Sequence, residues 1–199
     1  MASQVDIINH ALTKLGEVRI QDIEEDSKPA REALAVWDLL LESELSANSW
    51  AFAARRASIA ALAQAPAWGY LYAYEFPSDL LALTYVNGQS IISIADFNDS
   101  TAPIYKVEGR EILTDIAGPL KIMYTALVTD PDKWDAGFRN AFAIKLAQVL
   151  CFPLTQREGK ESGLFQEYQM AVQTAKQRAA IQMPPQTLQD STWFAERES

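Results

Sequence analysis

The sequence predicts an α+β protein: about four helices forming an antiparallel bundle, one inserted small antiparallel β unit, and an extended C-terminal tail. Three observations lead there. Apolar residues recur every three or four positions toward both ends of the chain, they alternate with a period of two between residues 68 and 128, and both periodicities are gone after about Gln182. The division that follows is 1–67 and 129–181 for a helical core, 68–128 for a β insertion and 182–199 for the tail.

Val5, Ile8, Leu12 and Leu15 define the first helix, with Ser3 placed to cap its start and Gly16 to end it. An acidic loop, Gln21 to Asp26, leads to Ser27-Lys28-Pro29, a capping residue followed by an early proline. The second helix then runs from Ala30 to about Ala47, with Leu34, Trp37, Leu41 and Leu45 on one side and Glu32, Asp38 and Glu42 elsewhere. From Trp68 the period changes. Tyr70, Tyr72, Tyr74 and Phe76 alternate with Leu71, Ala73 and Glu75 until Pro77, and Leu81 to Val86 ends at Asn87-Gly88, a pair suited to a tight hairpin whose partner strand is Ile91 to Ile94. Tyr105 to Val107 and Glu111 to Thr114 flank Gly109, and Leu120 to Val128 follows Gly118-Pro119. Asp130-Pro131 reads as the cap and first residue of a third helix carrying Trp134, Phe138, Phe142, Leu146 and Val149, stopped by Pro153. Gly159 and Gly163 punctuate a loop, and Leu164, Tyr168, Ala171, Val172 and Ala175 form the stripe of the last helix.

Composition narrows the chemistry. The 199 residues hold 17 Lys+Arg against 26 Asp+Glu, a formal charge of −9, one Cys and one His. One cysteine, Cys151, allows neither an intrachain disulfide nor a cysteine-rich zinc site, as expected of a reducing compartment. One histidine, His10, excludes a two-His metal site and makes a Ser/His/Asp hydrolase improbable. The start of the chain lacks a basic region followed by an apolar run, and no eighteen consecutive residues are apolar, so the chain is expected to be made and kept in the cytoplasm with no membrane partner. A pI near 4.6 opposes tight binding to nucleic acid phosphates.

Individual residues point to structure more than to catalysis. Glu24-Glu25-Asp26 reads as a solvated face. Asp130-Pro-Asp132-Lys-Trp134-Asp135 has the alternation of a calcium loop, but Asp135 stands where glycine is required, and helix capping accounts for the acids. His10 lies opposite the first helix's apolar stripe, and Cys151 reads as a buried structural thiol. No phosphate-cradling glycine loop occurs, and the set of cofactors and metals expected is empty. The Tyr70, Tyr72, Tyr74, Phe76 stripe could stack bases, but lacks flanking cations and is the ordinary core of a small sheet. Arg55-Arg56, the adjacent basic pair, reads either as a cation pair near a helix end or as an intersubunit ion pair.

Four segments, in order, resemble one family. They are Leu39 to Arg56, containing Trp50-Ala51-Phe52-Ala53 and then Arg55-Arg56; Tyr70 to Asp79, ending Phe76-Pro77-Ser78-Asp79; Tyr105 to Asp115; and Ile122 to Asp130 continuing through Phe138 to the Lys145–Leu150 helix. Over about residues 3 to 180 the chain resembles the head-to-tail adaptors of tailed bacteriophages and prophages, the tail tubular protein A or gatekeeper group. Where many of those proteins carry His-Pro before the Trp, this chain has Asn48-Ser49. The resemblance implies a non-enzymatic virion protein at the head–tail junction. It would form a ring of about twelve copies, from a subunit that can be monomeric when free, and dock below the portal protein. The ring would continue the channel through which double-stranded DNA passes without sequence-specific binding, and present a surface to the downstream tail or nozzle protein. Trp50, Phe52, Arg55 and Arg56 are then the candidate intersubunit or partner contacts, and Met183, Pro184, Pro185, Trp193 and Phe194 the candidate portal-docking tail. The alternatives are a head-completion stopper or neck protein of a long-tailed phage, an enzyme using carboxylates of the β unit, and a nucleic-acid module built on the aromatic strand.

Overall fold

The structure is a computed structural model that describes residues 3–87, 89–90, 105–156 and 159–182. It is α+β. Helix α1, Gln4–Leu15, begins with a reciprocal cap: the Ser3 hydroxyl accepts the Asp6 N–H at 3.1 Å and the Asp6 carboxylate accepts the Ser3 N–H at 2.8 Å. Gly16, at φ +78°, closes it, and the Glu17 N–H donates back to the Leu12 carbonyl at 3.0 Å. Helix α2, Lys28–Ala47, is capped by Ser27 with Pro29 in its first turn. Helices α3, Ala136–Thr155, and α4, Lys160–Gln182, follow the β region, and α3 packs against α1, α2 and α4.

The strands are β1 Ala54–Ile59, β2 Tyr72–Glu75, β3 Leu80–Val86, β4 Gln89–Ser90, β5 Tyr105–Glu108, β6 Glu111–Thr114 and β7 Leu120–Ala126. They form two antiparallel sheets, ordered β1-β7-β3-β4 and β2-β6-β5. Tyr74 and Ile112 of the smaller sheet share one apolar interior with Val86, Leu120, Ile122 and Tyr124 of the larger; of the aromatic stripe Tyr74 is core, with Tyr72 and Phe76 packed partly buried against it. A second interior joins the helices through an aromatic cluster in which Phe138 stands 4.8 Å from Trp50 and 5.0 Å from Trp134, centroid to centroid.

Several expectations are corrected. The segment 1–67 is not helical throughout, because Ala54–Ile59 is a strand paired along its whole length with β7. Its own pattern is weak, but β7 is apolar and central and needs a hydrogen-bonded neighbour on each side, so tertiary pairing overrides local preference. Asp130 caps a 3-10 turn, Pro131–Lys133, while α3 is capped five residues later by Asp135, whose carboxylate accepts the Phe138 N–H at 2.6 Å. Pro153 lies inside the last turn of α3, which continues to Thr155, where the hydroxyl donates to the Cys151 carbonyl at 2.7 Å. Gly163 is helical rather than a loop residue. The described hairpin partner of β3 is Gln89–Ser90, with Asn87 at φ +42°; the expected strand Ile91 to Ile94 and the tail residues 183–199 lie outside the described residues.

Candidate functional site

The first motif divides between the core and the sheet. Trp50 is 2% exposed, and its indole N–H donates to the Glu44 carbonyl at 3.0 Å, so its ring is closed to any partner. This corrects its candidacy as a contact: a large ring with one polar handle finds both its apolar surroundings and its acceptor inside the subunit. Phe52 is half-buried, 5.0 Å from Phe138, and keeps part of its surface outside. Arg55 and Arg56 do not act as a pair, because β1 sends successive side chains to opposite faces of the sheet.

Arg55 turns to Asp79 in its own chain, Nη1 to Oδ2 at 2.5 Å, and the other carboxylate oxygen accepts the Tyr124 hydroxyl at 3.1 Å. Burial, and then the Asp79 carboxylate, hold the Tyr124 phenol above its ordinary pKa. The Asp79 carbonyl also accepts the Leu127 N–H at 2.7 Å. Asp79 therefore ties β1, the β2–β3 turn and β7 together where the sheet meets the helices. Arg56 points the other way, into a shallow depression shared with Ser58, Tyr85, Lys121 and Met123. Two cations there form a local basic spot on a chain of charge −9.

Two features had no counterpart in the sequence reading. Trp68 is 85% exposed and Leu71 64% exposed, on a segment pinned at both ends: the Leu62 N–H donates to Ala73 at 2.8 Å, and the Leu71 N–H to the Asp115 carboxylate at 2.9 Å. Trp68 and Leu71 thus leave apolar surface facing solvent on a segment that these two hydrogen bonds tie to the sheet. The other is Glu44, 5% exposed on α2, which accepts a hydrogen bond from the Tyr168 hydroxyl of α4. The Lys145 ammonium of α3 lies 5.1 Å from the centre of the Tyr168 ring. Burial raises the Glu44 pKa, against the opposing pull of Tyr168 and Lys145; burial and Glu44 raise the Tyr168 phenol strongly. Glu44 lies seven residues after Trp37, on the face that Trp37 and Leu41 bury, so a heptad count would have found it.

In the acidic loop Glu25 and Asp26 are engaged locally. Glu25 accepts the Gln21 N–H at 2.8 Å, and hydrogen bonds from Ser27 and Gln21 lower its pKa; Asp26 pairs with Arg31. His10 is exposed, with its pKa lowered by partial burial and by Lys14, and Cys151 is buried. Among the described residues no three His, Cys, Asp or Glu side chains are placed to hold a metal ion, and no helix is long and apolar enough to cross a membrane. In comparisons with known proteins, no family model and no curated protein matches the chain.

Proposed function

We propose that this chain is a structural head-to-tail adaptor of a tailed bacteriophage, a virion subunit that rings the DNA channel below the portal protein and receives the next tail component. One observation carries the reading: the four segments that resemble the adaptor family are the ones that interlock here. Trp50 and Phe52 of the first meet Phe138 of the fourth, Arg55 of the first and Tyr124 of the fourth both bind Asp79 of the second, and β2 in the second pairs with β6 in the third, Tyr74 opposite Ile112. On this reading the helices act as an antiparallel bundle and build the ring. The β unit, with Trp68 and Leu71 at its surface, meets the tail or nozzle protein, and the segment beyond Gln182 reaches the portal.

Charge fits a DNA conduit. Twelve copies at −9 each give the ring a formal charge of about −108, which repels phosphates along the lumen and lets the duplex slide. The test is to mix the purified chain with portal rings from the same genome, then measure the mass of the product and image it by electron microscopy. A stacked ring of defined stoichiometry is expected. Portal rings that stay bare at micromolar subunit concentration reject the proposal.

A further inference from the structure

The seam between α3 and α4 opens into a groove of about 440 Å³ lined by Gly137, Asn140, Met170, Ala171, Thr174 and Arg178. Met170 is 62% exposed beside it, an apolar side chain without a covering element among the described residues. At one end Glu167 is already paired with Lys14 of α1, Nζ to Oε1 at 2.5 Å. At the other end Arg178 has no ion-pair partner among the described residues. The groove thus sets Ile144, Met170, Ala171 and Ala175 beside Asn140 and Thr174, is neutralised at one end, and is cationic at the end nearer the C-terminus of α4.

We infer that the C-terminal tail of the same chain covers this groove, with Trp193 and Phe194 seated against Met170 and Ala171. Reach allows it. The groove runs from Glu167 to Arg178, about 16 Å at 1.5 Å per helical residue. Gln182, the last described residue, lies four residues beyond Arg178, and prolines at 184 and 185 disfavour a helical path there. Trp193 follows eight residues after Pro185, so a returning extended chain, at about 3.3 Å per residue, spans the groove with length left for the reversal. Charge favours the same arrangement, since Asp190, Glu196 and Glu198 outnumber Arg197 in the tail and would lie along a groove whose open end carries Arg178. Burying two aromatic rings on Met170 gives both partners the apolar cover they otherwise lack. The contact is intramolecular and belongs to the free subunit, where no portal competes for the tail, so its test does not depend on the adaptor reading.

Disulfide trapping in the full chain tests it. The pair Thr174→Cys with Ser191→Cys, oxidised mildly in dilute solution, is expected to give an intramolecular crosslink, seen as a faster-migrating monomer absent from either single variant. Adding Met170→Lys, a change at an exposed position, is expected to cut the crosslink yield several-fold while leaving the helical circular dichroism unchanged. Crosslinked dimers or ladders in place of the monomeric product would overturn the inference in favour of a tail held by a neighbouring copy. Absence of any crosslink, or a yield indifferent to Met170→Lys, would overturn it outright.

Discussion

Glu44 shows how burial changes what a residue does. Its folded-state pKa is raised above the ordinary 4.5 by desolvation, so the folded protein holds this proton more tightly than the unfolded chain. The stability it contributes is therefore complete below about 4.5 and is lost as pH rises through the folded value. Glu44→Gln keeps an acceptor for Tyr168 and removes the titration. The variant is expected to lose less stability than the parent between pH 4.5 and pH 7, read as urea midpoints at the two pH values; equal losses would assign the linkage elsewhere. Tyr168→Phe leaves the buried carboxylate without its donor and is expected to cost about 1–3 kcal/mol in the same assay. Trp50 and Arg56 make a second contrast, because both stood together as candidate contacts. Trp50→Ala empties a site walled by Phe52 and Phe138 and should cost about 3–5 kcal/mol, whereas Arg56→Ala, exposed on the outer sheet face, should stay within about 0.5 kcal/mol. A loss of partner binding with unchanged denaturation midpoint in Arg56→Ala would identify the basic spot as a contact.

Among elements, α3 and α4 approach closely at one glycine. A Cβ built on Gly137 would stand 2.8 Å from the Cβ of Ala175, inside any real contact, so the two helices approach there only because the side chain is absent. Gly137→Val is expected to force the helices apart at a cost of about 1–3 kcal/mol. Pairing it with Ala175→Gly should recover part of that loss, a coupling that a double-mutant cycle in urea would measure and that independent sites would not show. The larger sheet is tied to the β2–β3 turn by a different device. The Arg55–Asp79 ion pair is half-exposed and contributes little by itself, but Asp79 also accepts the phenol of Tyr124, which is 6% exposed. Asp79→Ala is therefore expected to cost about 1–2 kcal/mol, more than Arg55→Ala.

For the whole molecule the governing quantity is the charge of −9 on 199 residues. Copies of such a chain repel one another, and the repulsion is screened over about 10 Å at 0.1 M salt. Assembly of the proposed ring is therefore expected to strengthen as salt rises from about 10 mM to about 150 mM, where screening reaches physiological values, with mass photometry reporting the fraction in rings. Rings that come apart over that interval would show that opposite charges at the interface, such as Arg56 and Lys121 against a neighbour's carboxylates, outweigh the net repulsion.

Local chemistry determined what local forces control. The Ser3 and Ser27 caps, the Gly16 stop, a strand at Tyr72–Glu75 and the α+β class could all be read from spacing, because capping, glycine's access to positive φ and side-chain periodicity act within a few residues. Only the tertiary structure decided that Arg55 and Arg56 lie in a strand and part company, since that strand exists through its pairing with β7, more than sixty residues away. The same holds for Trp50, drawn from a candidate surface into the core by Phe138 and the Glu44 carbonyl. It holds too for Asp79, whose importance comes from two partners supplied by distant strands. Contacts between residues far apart in sequence depend on how the elements pack, and no local period records that packing.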